Sequence, residues 1–295
     1  MHFLDVKTDF AFKKVFGSEG SKDILISFLN SIVKFNDNSI IEDLTIVDPY
    51  QIPLLKGMKD TYVDVKARLS NGNIVIIEMQ VLNYEGLEKR ILYNAAKAYS
   101  TQLLTGEQYF LLNPIIAITI TDFEMFSEFS KVISYFKLKE KDELIEYSGD
   151  IELIFIELPK FTKGEDELKD ITDRWIYFIK NAGNLEYIPK TLEKEVEIKR
   201  AFEIVNQAGL SAEELEMQFK RKDFIYIQQA SIRYAEKKGM ERGMEKGMEK
   251  GMKEGMEKGM EISVLNLARH GMAPEEIAKM LELNIDFVKK VVNSD

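Results

Sequence analysis

Apolar residues fall on this chain in two spacings, one helical and one β-like, and the switch between them sets the elements the sequence predicts. Thr8 and Asp9 open a first short helix through Phe10, Phe12, Lys13 and Phe16, with Thr8 as cap and Asp9 as a first-turn acid. Residues 21–35 predict a second helix, with Ile24, Leu25, Phe28, Leu29 and Ile32 on one core-facing stripe. Residues 44–55 predict a strand that runs into an irregular segment, because Pro49 and Pro53 cannot sit in a central ladder. Residues 62–80 predict a hairpin, since Val, Ile and Tyr cluster on both sides of the turn residues Asn71, Gly72 and Asn73. A helix over 86–104 follows, and residues 109–121 and 151–158 predict two further strands, the last ended by Pro159. Strands separated by a helix predict an α/β fold with a mixed central sheet and helices on its faces.

Beyond Lys160 the spacing is helical, with helices predicted over 168–179, 192–205 and 212–236. Residues 239–260 then repeat Gly-Met-x-x six times. In a helix each repeat turns about 40° past a full turn, so the Met stripe winds round the rod. Six glycines cost roughly 6 kcal/mol relative to Ala, which makes such a helix marginal alone. Glu241, Glu245 and Glu249 are like-charged neighbours, whereas Lys253 and Glu254 restore opposite-charge pairs and favour the second half. The repeat reads as a semi-rigid spacer or as a self-association stalk. Three short helices, 262–269, 274–281 and 285–292, complete the chain; Ile277, Ala278, Leu281, Phe287, Val288 and Val291 supply a small core resembling a helix-turn-helix. The expected organisation is a core over 1–160, a helical extension over 161–238, the repeat over 239–261 and a helical tail over 262–295.

Composition narrows the chemistry. No Cys and two His among 295 residues remove disulfides, thiolate zinc sites and Cys nucleophiles, and leave carboxylates, Lys and Tyr for any reaction. No cationic, apolar leader follows Met1 and His2, and the longest apolar stretch, 115–120, is far shorter than a spanning helix, so the expectation is a cytoplasmic protein without a membrane partner. A net charge of -10 opposes nucleic-acid binding overall. Residues 56–100 nevertheless carry seven bases (Lys56, Lys59, Lys66, Arg68, Lys89, Arg90 and Lys97) against five acids, two of which are the acids considered next.

Asp64 lies on the first strand of the predicted hairpin and Glu78 and Gln80 on the second, sharing one face while Met79 points into the opposite layer. A carboxylate at the end of the apolar run Ile74, Val75, Ile76 and Ile77 needs a partner or reaches water at the strand end. A hard divalent cation, Mg²⁺ or Mn²⁺, held by Asp64 and Glu78 is such a partner.

Asp64, a strand turn, and then Glu78, Met79 and Gln80 resemble the PD-(D/E)XK nuclease superfamily, and in particular its transposase-like, recombination-promoting branch, in which the final Lys is commonly Gln. Lys7 through Gly17 resembles that branch's opening helix, Lys59 its basic residue before the Asp strand, and Arg90, Ile91, Leu92 and Tyr93 with Tyr99 its following helix. Ile156 through Phe161 and Trp175 also fit, so the resemblance extends from the start to the 180s. It implies a restriction-endonuclease-like core, Asp9 as a third carboxylate facing the metal, and the Met79 carbonyl completing the ligation. It also implies a metal-dependent DNA endonuclease tied to recombination or mobile elements. Gln80 can orient a water but brings no positive charge, and Lys66, two residues from Asp64, is the expected replacement. Lys59, Lys89 and Arg90 are the expected contacts to the nucleic-acid backbone. RNA stays open as a substrate, because the metal chemistry acts on either backbone. The rival is a catalytically weak or inactive DNA-associated scaffold that assembles into homo-oligomers through its helical C-terminal region.

Overall fold

The computed structural model of the chain describes residues 1–35, 37–51 and 60–294. Lys59 and Lys56 lie outside the described residues, as does the irregular segment around Pro53. Thr8 caps α1 (Asp9–Phe16) by accepting the Ala11 N–H, and α2 (Lys22–Ile32) buries the stripe Ile24, Leu25, Phe28, Leu29 and Ile32. β1 (Leu44–Val47) pairs antiparallel with residues 66–69, whereas β2 (Tyr50–Gln51) pairs with β3 (Thr61–Tyr62) in a separate ribbon, where the Tyr50 and Tyr62 rings stack at 4.7 Å. β4 (Val65–Leu69) and β5 (Ile74–Gln80) form the hairpin, whose turn places Gly72 at φ 92°, a conformation open to glycine and costly for most side chains.

The apolar run of β5 is buried along its whole length, as expected of a strand covered on both faces. α3 (Leu87–Ser100) carries the chain across to β6 (Ile115–Thr121), which lies parallel to β5. β7 (Ile133–Lys139) pairs antiparallel with β8 (Glu146–Glu157), and β8 lies parallel to β6. The resulting six-stranded sheet has the order β1-β4-β5-β6-β8-β7. One face buries Val75, Ile77, Ile118 and Ile156 with α1, α2, α4 (Ile171–Asn181) and α6 (Val196–Ile204); the short α5 (Lys190–Glu193) precedes α6. The other face buries Ile74, Ile76 and Ala117 against Ala95 and Ala98 of α3.

Asp64 lies outside the hairpin strand on which the sequence pattern puts it. β4 begins at Val65, and Val63 packs toward α3 while Val65 packs toward α1 and α2, so the alternation of faces breaks at Asp64. The Asp64 N–H bonds to the Ile77 carbonyl at 3.1 Å, and its carboxylate accepts the Met79 N–H at 2.8 Å, so a side chain stands where a ladder rung would be. The step from Asp64 to Lys66 on one strand face therefore does not hold. Residues 109–111 are a short 3₁₀ turn with exposed Tyr109 and Phe110, not the start of β6.

The chain divides into two units, Met1–Gln228 and Gln229–Asp295. α7 (Ala212–Arg269) is continuous through the Gly-Met repeat, where the sequence predicts separate segments. In the second unit α8 (Pro274–Met280) and α9 (Ile285–Val292) close a small core of Val264, Ile277, Val288 and Val291. No helix among the described residues is long and apolar enough to cross a membrane.

Candidate active site

β5 ends on a polar cluster because its last three residues alternate across the sheet: Glu78 and Gln80 face α3, and Met79 faces the helical layer of α1 and α2. Glu78 is almost wholly buried, with a 5% exposed side chain, and its carboxylate is enclosed by three donors. Gln80 Nε2 and Arg90 Nη2 donate to Oε2 at 2.9 and 3.2 Å, and Asn94 Nδ2 donates to Oε1 at 2.5 Å. Arg90 is oriented in turn by the Tyr84 hydroxyl, which accepts from Nη1 at 2.7 Å. Arg90 and Asn94 reach one carboxylate because they stand one helical turn apart on α3.

Asp64 approaches from the bend before β4 with a 17% exposed side chain. Its Oδ1 lies 3.5 Å from Lys13 Nζ, the ammonium reaching over from α1. Burial raises the pKa of both acids above their ordinary values, and the Asp64 charge raises that of Glu78 further. Arg90 and the Asn94 and Gln80 donors pull Glu78 back only in part, as the Met79 N–H and Lys13 do for Asp64. A buried and a partly buried carboxylate thus share a region with less positive charge than they need.

Asp9 lies near enough to raise the Asp64 pKa, but its own carboxylate is held by the guanidinium of Arg221 on α7, which lowers the Asp9 pKa. Among the described residues no three His, Cys, Asp or Glu side chains form a group that could hold a metal ion. The site's acids are therefore the pair Asp64 and Glu78, with Asp9 standing off against Arg221.

The donor set suits a hard cation, being oxygen only. Asn94 adds a further observation: its Oδ1 is buried without a hydrogen-bond partner while its Nδ2 holds Glu78. An unpaired buried acceptor on the residue that holds the under-compensated Glu78 carboxylate is an arrangement a divalent ion would satisfy.

Of the other sequence candidates, Lys89 is exposed on α3. Lys66 is half-buried, and its pKa is lowered by burial and by Arg68 while Asp48 opposes the shift. Lys13, Asn94, Tyr84 and Arg221 escaped the sequence reading. The Arg90 and Asn94 spacing was a usable clue; Lys13 and Arg221 join the cluster only through the packing of α1 and α7. A family model described as PD-(D/E)XK nuclease family transposase matches residues 6–235, and its span includes every one of these side chains. No curated protein and no solved structure matches the chain.

Proposed function

We propose, from the premise that this chain belongs to the PD-(D/E)XK nuclease transposase family with its restriction-endonuclease-like α/β core, that it is a Mg²⁺-dependent DNA endonuclease serving DNA recombination or mobile elements. The observation that carries this reading is the pair of the partly buried Asp64 and the buried Glu78, both with raised pKa, with the unpaired Asn94 oxygen on the residue that holds Glu78. Asp64 and Glu78 would hold Mg²⁺ or Mn²⁺, with the Met79 carbonyl as a further ligand and Asp9 as an outlying carboxylate. When bound, the ion supplies polarisation of the scissile phosphate and a lowered pKa for an attacking water.

The protein's own groups set the geometry. Asn94 and Arg90 fix the Glu78 carboxylate, and Tyr84 fixes Arg90. Gln80 donates its amide N–H to Glu78, which leaves its amide oxygen as the group to orient a water. Lys89 and Arg90 contact the backbone of the bound strand, where they contribute charge without sequence preference.

Lys13 takes the place of the positive charge that Gln80 lacks, because its ammonium lies against Asp64 while nearly half its side chain is open to substrate. Lys66 is the second candidate, with Asp48 and Arg68 as its charged neighbours. Lys13→Ala is expected to lower single-turnover cleavage about 10²-fold, and Lys66→Ala by less than tenfold. An equal or larger loss in the Lys66 variant would transfer the role to Lys66.

Nicking of supercoiled plasmid is the direct test. The expected result is nicked and linear product with Mg²⁺, no product with EDTA, and none from Asp64→Asn under either condition. Cleavage that persists in the Asp64 variant would refute the assignment, and a wild-type protein that binds DNA without cutting it would favour the scaffold.

A further inference from the structure

Beside the carboxylate pair, within the first unit, α1 and the opening turns of α7 enclose a cleft of about 490 Å³ lined by Asp9, Phe10, Lys13, Met217, Lys220, Arg221 and Phe224. Resting on the proposed nuclease reading, we propose that this cleft holds one unstacked nucleotide of a DNA single strand, its base against Phe224 and Met217 and its phosphate on Lys220 and Arg221, next to the phosphate at the carboxylates.

The α7 wall is a single helix face. Met217, Lys220, Arg221 and Phe224 stand at i, i+3, i+4 and i+7, the spacing that ordinarily turns an apolar stripe into a core. Here the stripe stays open, with Met217 and Phe224 about half exposed. The wall is fixed in place by bonds to α1 and its cap: Gln218 accepts from the Thr8 hydroxyl at 2.7 Å, and Glu214 accepts from Lys14 Nζ at 2.6 Å. An exposed aromatic surface on a braced element is the form of a stacking platform.

Charge selects the occupant. The lining brings three cations against one acid in a chain of net charge -10; Arg221 holds that acid, Asp9, through Nε and Nη2, which leaves its Nη1 beside Lys220 to meet a phosphate. Lys220 pairs with Glu216 on the solvent side, an exposed contact that a phosphate can displace. Phe10 is partly covered by the Lys14 ammonium, 5.9 Å from its ring centre, so Phe224 offers the more open ring. Continuity with the acids comes through Lys13, which lines the cleft and also lies 3.5 Å from Asp64. A duplex keeps its bases stacked and presents none of them to such a platform, so the cleft selects a single strand or an unpaired junction.

The test is fluorescence anisotropy of the full chain in EDTA, where binding is read without cleavage. The probes are a labelled single-stranded DNA, its duplex, and an abasic strand of equal length. Phe224→Ala is expected to weaken the natural single strand roughly tenfold and to leave the abasic strand and the duplex unchanged. Lys220→Ala is expected to weaken both single strands and to flatten their salt dependence. Phe224→Trp should retain affinity, and its indole should be quenched by the natural strand and not by the abasic one. Equal weakening of the natural and abasic strands, an unquenched Trp, or a changed oligomeric state with unchanged DNA affinity would overturn the subsite. Binding that follows this pattern without Mg²⁺-dependent cutting would remove the nuclease reading and leave the subsite standing.

Discussion

Asp64→Asn and Glu78→Gln should each abolish Mg²⁺-supported cleavage, a loss of roughly 10³-fold or more, because each removes a negative oxygen from the acid pair proposed to hold the ion. The substitutions keep shape, and an Asn at 64 can still accept the Met79 N–H; a Gln at 78 can still accept from Asn94 but turns its amide NH₂ toward Gln80 and Arg90, the two donors that bond to the second Glu78 oxygen. Stability should move in the opposite direction. Both acids have folded-state pKa values raised above their unfolded values, so the folded chain binds more protons than the unfolded chain over the intervening pH window. Stability of the metal-free protein therefore falls as pH rises from the ordinary carboxylate range through the raised values. The neutral variants escape this loss, and in EDTA near neutral pH Asp64→Asn should melt above the wild type, with the difference closing in acid; Glu78→Gln should gain less, because its amide NH₂ opposes the Gln80 and Arg90 donors. Mg²⁺ should raise the wild-type melting temperature and leave that of the variants unchanged. Thermal unfolding at several pH values, with and without Mg²⁺, reads all of this beside the cleavage assay. An Asp64→Asn protein that loses activity without gaining metal-free stability would mean that Asp64 is not under-compensated in the folded chain.

The parts of this site that sequence could reach are those governed by local spacing. β5 was readable because a run of four β-branched residues ending in alternating polar groups fits few structures other than a covered strand. Glu78 and Gln80 share a surface for the same reason. Asp64 was readable as an acid near Glu78 and misplaced in detail, since its carboxylate accepts a backbone N–H of β5 and bends the chain out of register. That bend favours Lys13 over Lys66 in the proposed role: the alternation that would join Lys66 to Asp64 stops at the residue in question. β7 was missed because it is an edge strand; Lys137 and Lys139 interrupt its apolar residues, and its register with β8 shifts at Lys137 and Leu138. The pairing of Asp9 with Arg221 joins residues far apart in the chain, and no local spacing announces it. The continuity of α7 went unread because propensity counts each Gly against the helix, while the regular charged residues of the repeat carry no competing signal for a turn.

Trp175→Ala should destabilise the first unit by about 3–5 kcal/mol, the range for emptying a large aromatic site in a packed core. Trp175 is fully buried on α4, with its ring centre 5.8 Å from Phe16, 6.0 Å from Phe28 and 5.8 Å from Phe178. Its indole N–H donates to Ser27 Oγ at 3.2 Å, so truncation also leaves that hydroxyl without its donor. Phe16 and Phe12 pack at 4.8 Å on α1, the helix that presents Asp9 and Lys13. The cavity would therefore open directly beneath the helix that brings Lys13 to Asp64. Urea unfolding followed by far-UV circular dichroism gives the magnitude, a necessary choice because Trp175 is the chain's single Trp and its fluorescence disappears with the substitution. Trp175→Phe should lose less, since a ring still meets Phe16 and Phe28. Cleavage measured well below the melting temperature separates packing from positioning. A folded Trp175→Ala protein that cuts at the wild-type rate would show that α1 keeps its place without the aromatic layer, whereas a rate reduced in step with Lys13→Ala would tie the ammonium's position at Asp64 to the ring packed behind it.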